Sequence, residues 1–254
     1  MGVDSGLPDF RGNEGFWRAY PAAAKLGLSF QELANPDWFR SDPRLAWAFY
    51  GHRMNLYRHT VPHAGFGQLL EWGQAKRNGY FVYTSNVDGH FQKSGFDPNR
   101  VFECHGSIHH FQCAMPCRTA IWVAADETVT VDETEFRAAE PLPECQFCGC
   151  LARPNVLMFG DVEWIPSRSR AQELRFGTWL GDLRAAAARL AIIEFGAGTG
   201  VPSVRMASEH TARAMGAKLV RINPRESQVP TGQIGLPMGA LDAVRQLAEV
   251  MVGK

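Results

Sequence analysis

Four cysteines in two short spacings, Cys113-x3-Cys117 and Cys145-x2-Cys148, follow a polar segment, Thr84-Ser85-Asn86-Val87-Asp88-Gly89, and a Glu103-Cys104-His105-Gly106 step. Paired thiolates can supply four tetrahedral sulfur ligands to zinc, and a closed four-sulfur site leaves no position for substrate, so such a metal would be structural. Free buried thiols are the competing reading. Cys104 and Cys150 fall outside the pattern; Cys150 could compete with Cys148, but the Cys145-x2-Cys148 knuckle is the better geometry. Cys104 beside His105 suggests a thiol and its base, yet successive strand residues face opposite ways, which argues against that pair. His105 stands out among eight histidines because it falls at a predicted strand end, where an imidazole titrating near neutrality can take a proton from a sugar hydroxyl. For an arbitrary histidine, a surface or core role is the commoner one.

Strands and helices must position these groups. Gly79-Tyr80-Phe81-Val82-Tyr83-Thr84 reads as a buried parallel strand running into the Ser85–Asp88 loop, and residues 100–106 as a second short strand with its loop. Residues 154–159 return to strand character, 190–195 form a strand leading into Gly196-Ala197-Gly198-Thr199-Gly200, and 218–224 form a final strand. Helices are predicted across 29–75, over 168–189 and at the close, 241–252; Ser41-Asp42-Pro43 marks a helix start. Strands alternating with helices indicate a parallel α/β sheet. Open sheets of this kind bind ligands at the C-terminal strand edge, where the loops at 84–90, 105–107, 159–161, 196–200 and 223–225 would gather. Gly196, Gly198 and Gly200 permit close backbone approach to a phosphate or ribose, although a turn without ligand would read the same. Residues 111–152 break the rhythm with short antiparallel or irregular pieces, as an inserted lobe would.

The chain has 254 residues, 45% hydrophobic and 20% charged, which suits one large domain with a smaller lobe or two modest domains. Lys+Arg and Asp+Glu both total 26, so nothing in the charge argues for a general nucleic-acid or membrane affinity. There is no run long and apolar enough for a transmembrane helix and no secretory signal, and the six cysteines all lie between 104 and 150, a clustering that favours metal binding over a disulfide framework. A cytoplasmic protein, acting as a monomer, is expected.

Taken together these pieces resemble the sirtuins, the NAD-dependent protein deacylases. Ser5-Gly6-Leu7-Pro8-Asp9-Phe10-Arg11-Gly12 resembles the family's SGIPDFRG loop, Thr84–Gly89 its TQNIDG, and His105-Gly106 its HG motif. Cys145-x2-Cys148-Gly149, then Leu151, Arg153-Pro154 and Phe159-Gly160-Asp161, resemble CxxCGG…LRPxxxxFGE; Gly198-Thr199-Gly200 resembles GTS and Ile222-Asn223 the late IN pair. The resemblance implies a Rossmann-like NAD-binding domain (1–33, 76–110 and 153–254), a helical module of the small domain (34–75) and a zinc-binding lobe (111–152). It implies that His105 acts as general base with Asn86 and Asp88 positioning ribose and nicotinamide. Asp9, Phe10, Arg11, Ser85, Gly198, Thr199, Gly200 and Asn223 would hold NAD, and Phe159 and Gly160 the substrate. The products would be free lysine, nicotinamide and O-acyl-ADP-ribose. An NAD-consuming hydrolase or ADP-ribosyltransferase on the same scaffold is the alternative.

Tyr50-x-x-Arg53 resembles the pair of family members that accept succinyl or malonyl lysine, where a phenol and a guanidinium bind the distal carboxylate; a packed Tyr and an exposed helix Arg would be the plain reading. Ser85 stands where the family has glutamine. The resemblance also implies a strand and a Gly-Ala-Gly turn ahead of the position matching Gly2, so the chain is expected to be N-terminally truncated relative to the family and to bind NAD poorly, or to serve as an impaired NAD and zinc interaction module.

Overall fold

A computed structural model describes residues 1–9, 12–125 and 127–252; the expectations for Phe10 and Arg11 fall outside them. Helices α1 (Gly12–Ala19), α2 (Pro21–Lys25), α3 (Phe30–Leu33), α4 (Trp38–Ser41), α5 (Pro43–His59) and α6 (Gly65–Gln74) come first. Strand β1 (Val82–Thr84), helix α7 (His90–Lys93) and strands β2 (Val101–Glu103) and β3 (Gly106–Cys113) follow. Then come β4 (Ile121–Val123), β5 (Val131–Asp132), β6 (Arg137–Ala138), β7 (Ala152–Val156), α8 (Ser167–Ala185), β8 (Ala191–Phe195), α9 (Ser203–Met215), β9 (Lys218–Ile222), β10 (Ile234–Leu236) and α10 (Ala240–Val252).

The long helix α5 starts where the sequence says it must. Asp42 accepts the Leu45 N–H at 3.1 Å, and Pro43 takes a first-turn position whose N–H has no helical partner anyway. The helix is buried on all sides from Leu45 to Gly51, and its Leu45, Trp47, Phe49, Tyr50 and Met54 belong to the larger hydrophobic cluster, which also takes in Phe16, Leu33, Phe111 and Phe136. Trp47 closes against Phe111 at 5.2 Å between rings and gives its indole N–H to Ala152 O at 3.0 Å, so the helical module and the β3–β7 sheet share one core.

The parallel strands form two ladders: β1 beside β2, and the order β10-β9-β8. A third, antiparallel sheet runs β4-β3-β7. Two readings of the sequence change here. The strand expected at 154–159 runs instead from Ala152 to Val156 and lies antiparallel to β3, outside the parallel sheet, and the strand expected last, at 218–224, covers Lys218–Ile222 and is followed by another, β10. The sign of β10 was hidden by Gly235, which is required because a Cβ there would stand 2.2 Å from Ser227 O. Among the described residues no helix is long and apolar enough to cross a membrane.

Candidate active site and metal centre

The loop after β1 is shaped by its own polar residues. Thr84 Oγ1 accepts the Asn86 N–H at 3.0 Å, Asn86 Nδ2 donates to Asp88 Oδ2 at 3.2 Å, and Asp88 Oδ1 accepts the His90 N–H at 2.9 Å, which starts α7. Asn86 is exposed and Asp88 buried, so the carboxylate orients the amide from below. The neighbouring strand is locked to this one: Thr84 O accepts the Cys104 N–H at 2.9 Å.

His105 follows directly, and Gly106 explains why the next position carries no side chain. Gly106 has φ +80°, and a Cβ on it would lie 2.0 Å from Asn155 O on β7. The backbone therefore turns sharply there, with His105 O accepting Leu157 N–H at 2.9 Å. The imidazole Nε2 sits 3.1 Å from Ser203 Oγ at the start of α9. Burial lowers the His105 pKa, so the ring is neutral at pH 7 and offers a lone pair. Cys104 does not serve it: burial pushes that thiol up to about 11, and it lies against Tyr83.

Asp9, Tyr50, Arg53, Ser85, Asn86, Asp88, His105 and Phe159 all line one cavity of about 1860 Å³. Gly160 lies beside it rather than in its wall, as do Gly198, Thr199, Gly200 and Asn223, while the Gly196–Ala197 step that precedes them lines it. Asn223, buried, ties the ends of β8 and β9 together by donating to Ala197 O at 3.0 Å while its Oδ1 accepts the N–H groups of Arg225 and Glu226, each at 3.0 Å. Thr199 Oγ1 donates to the Glu226 carboxylate, and Asp9 pairs with Arg225 across the same edge.

Three contributors were not picked from the sequence as site residues. Tyr57 lies one turn after Arg53, and its Oη accepts from Arg53 Nε at 3.1 Å and Nη2 at 2.9 Å. The guanidinium is buried, with Phe49, Phe30, Tyr57 and Tyr50 rings 5.1 to 5.8 Å from its carbon. Spacing i, i+4 on a helix could have found Tyr57. The second contributor is a buried, two-point pair, Arg153 Nη1 to Asp161 Oδ2 at 2.7 Å and Nη2 to Oδ1 at 2.8 Å, which fixes the loop carrying Phe159 and Gly160. Ser203 is the third; at 98 positions from His105, no local signal points to it.

The metal centre stands apart. The sulfurs of Cys113, Cys117, Cys145 and Cys148 all lie within 4.8 Å of one another, with Cys113–Cys148 and Cys117–Cys145 at 3.8 Å. Zinc–sulfur bonds of about 2.3 Å give a tetrahedron with edges of about 3.8 Å, so the four thiols fit one structural zinc ion. The backbone N–H of Cys150 helps hold Cys148 down to about 7, the thiolate form a metal requires. Cys150 itself is not in the cluster.

Comparison with known proteins agrees with this architecture. The family model described as Sir2 family matches residues 1–173. An NAD-dependent protein deacylase of Aquifex aeolicus is 28% identical over 233 residues, covering 90% of this chain and 82% of the relative. One from Pyrococcus furiosus is 32% identical over 165 residues, covering 64% of this chain but only 58% of the relative. A solved Sir2 homologue in complex with 2'-O-acetyl ADP ribose superposes with TM-score 0.65 and 26% identity, over 98% of this chain and 86% of the other. The chain belongs to the Sir2 family.

Proposed function

We propose that this protein removes acyl groups from lysine side chains in an NAD-dependent reaction that yields free lysine, nicotinamide and O-acyl-ADP-ribose. The observation that carries the reading is one cavity shared by a neutral, half-buried His105 and the Asn86–Asp88 loop, in a chain similar to deacylases from Aquifex aeolicus and Pyrococcus furiosus. When bound, NAD would supply an electrophilic ribose carbon for the acyl carbonyl oxygen, with nicotinamide as the leaving group, and one water would be consumed as the lysine amine is released. His105 takes a proton from a ribose hydroxyl, and Ser203 orients the ring. Asn86, held by Asp88, faces the ribose and nicotinamide; Ser85 and Asp9 contribute to the same wall. Gly198, Thr199, Gly200 and Asn223 hold the adenosine half at the ends of β8 and β9. Gly198 fits that task because a Cβ there would already press Glu226 Oε2 at 3.0 Å.

The acyl-lysine enters past Phe159 and Gly160, on the loop fixed by Arg153 and Asp161. Tyr50 and Arg53 meet the far end of the acyl chain. A guanidinium held among aromatic rings, in the cavity wall, supports an acyl group that ends in a carboxylate, succinyl or malonyl, over acetyl. The large-domain, helical and zinc-lobe division at 34–75 and 111–152 is part of this proposal, and the clustered thiols support a reducing, cytoplasmic setting.

A second reading, an impaired NAD and zinc interaction module, is favoured by the division of the parallel strands into two ladders. Measuring NAD consumption with and without acyl-lysine peptide separates the possibilities. Peptide-dependent turnover is expected; peptide-independent loss of NAD would point to a hydrolase, and absence of any turnover with measurable NAD binding would point to the module.

A further inference from the structure

The Asn86–Asp88 loop is pinned from outside the cavity. Two of its backbone carbonyls are taken by β3. Val87 O accepts the Ile108 N–H at 3.1 Å, and Asp88 O accepts from His109 Nε2 at 2.9 Å. A carbonyl can only accept, so the His109 ring carries its proton on Nε2. His109 is half-buried and, unlike Asn86, Asp88 and His105, does not line the cavity.

The residue after Asp88 makes this bond matter. Gly89 has φ +69°, and a Cβ on it would lie 2.7 Å from His109 Cδ2. The imidazole fills the space that a side chain would take at this turn. Glycine visits positive and negative φ about equally well, so the Asp88–Gly89 peptide has no orientation of its own. The hydrogen bond from His109 supplies one. Asp88 then passes it on: its Oδ1 accepts the His90 N–H at 2.9 Å, and its Oδ2 accepts from Asn86 Nδ2 at 3.2 Å.

His109 is held from behind as well. Its C=O accepts the Ala124 N–H at 3.0 Å, and the Ala124 and Glu127 carbonyls accept from the Arg58 guanidinium near the end of α5. Lys93, at the end of α7, donates to Arg58 O at 2.6 Å and Thr60 O at 2.8 Å. A closed circuit of hydrogen bonds therefore runs from α5 through Ala124 to β3, into the loop, along α7 and back to α5. His109 is the member whose main chain and side chain both take part.

We propose that His109 is a positioning residue: its Nε2–H fixes the Asp88–Gly89 peptide and so sets the Asn86 and Asp88 side chains toward the nicotinamide ribose of NAD. This rests on the NAD-dependent deacylase reading. A ring that merely packed there could be replaced by any flat side chain of similar size, whereas a positioning role needs the N–H.

Two variants of the full chain separate these. His109→Phe keeps a flat ring without a donor, and His109→Gln keeps an amide N–H that can stand near the Nε2 position. The first measurement is backbone amide exchange across residues 86–90 without NAD. A hydrogen bond contributes about 0.5–1.5 kcal/mol net, so exchange at Asn86 and His90 should quicken by roughly 2- to 12-fold in His109→Phe and stay near wild type in His109→Gln. The second is steady-state kinetics: kcat/KM for NAD should fall by a similar factor in His109→Phe and recover in His109→Gln, with the KM for acyl peptide little changed. Wild-type exchange or kinetics in His109→Phe would overturn the proposal. So would equal losses in both variants, or a fall in Tm or zinc content common to both, since packing of β3 would then be the cause. If the wild-type chain turns over no acyl peptide, the deacylase reading fails, while amide exchange still decides whether His109 holds the loop.

Discussion

Replacing Arg53 by methionine should change which acyl group the protein prefers. Methionine matches the buried, ring-lined volume around the guanidinium but removes its charge and the donors that meet Tyr57. A hydrogen bond to a charged group contributes about 1.5–3 kcal/mol, and each 1.4 kcal/mol is about tenfold. The ratio of kcat/KM for succinyl-lysine over acetyl-lysine peptide should therefore fall by roughly 10- to 150-fold in Arg53→Met. Acetyl-lysine turnover should persist, because an acetyl group has no distal carboxylate for the guanidinium to bind. Tyr50→Phe removes one neutral phenol and should lower the same ratio by about 2- to 10-fold. A coupled nicotinamide assay on paired peptides reads both variants. An unchanged ratio in Arg53→Met, with acetyl turnover intact, would refute the carboxylate-binding role and return Arg53 to a purely packing one.

Other expectations follow from the same geometry. Burial holds the His105 pKa below its ordinary 6.5, and the neutral form is the base, so kcat/KM should be full at neutral pH and fall only as pH drops below about 6.5. An acid limb centred above pH 7, or one that survives in His105→Ala, would contradict the assignment. Gly106→Ala forces a Cβ against Asn155 O in a left-handed backbone, which costs at least about 2 kcal/mol and should lower Tm by roughly 4–8 °C with loss of turnover; an unaltered melting curve would show that β3 and β7 part easily. Metal analysis should find one zinc per chain, and Cys145→Ser or a strong chelator should remove it and lower Tm without touching a cavity residue. Normal zinc content in Cys145→Ser would shift the ligand set toward Cys150.

Much of the fold was legible because apolar runs of β-branched and aromatic residues end in polar loops. The strands at 82–84, 101–103, 191–195 and 218–222 all obey that rule. The cysteine spacings placed the metal cluster by chemistry alone. What stayed hidden depended on partners far along the chain. The apolar run Val156-Leu157-Met158-Phe159 suggests a parallel strand, yet β7 is the more polar Ala152–Val156 and pairs antiparallel with β3, where Gly106 allows close approach to Asn155. The Ser203 contact and the Arg153–Asp161 clamp are set by packing rather than by local pattern. Tyr57 was within reach, since helical spacing from Arg53 puts the two side chains on one face.

The most direct test of the central claim is the chemical fate of the acyl group. The chain is incubated with NAD and an acyl-lysine peptide, and nicotinamide, deacylated peptide and acyl product are quantified together by mass spectrometry. Equal amounts of all three are expected, with the acyl group carried on ADP-ribose and every product lost in His105→Ala. Free carboxylic acid with NAD intact, or nicotinamide and ADP-ribose formed without peptide, would contradict it.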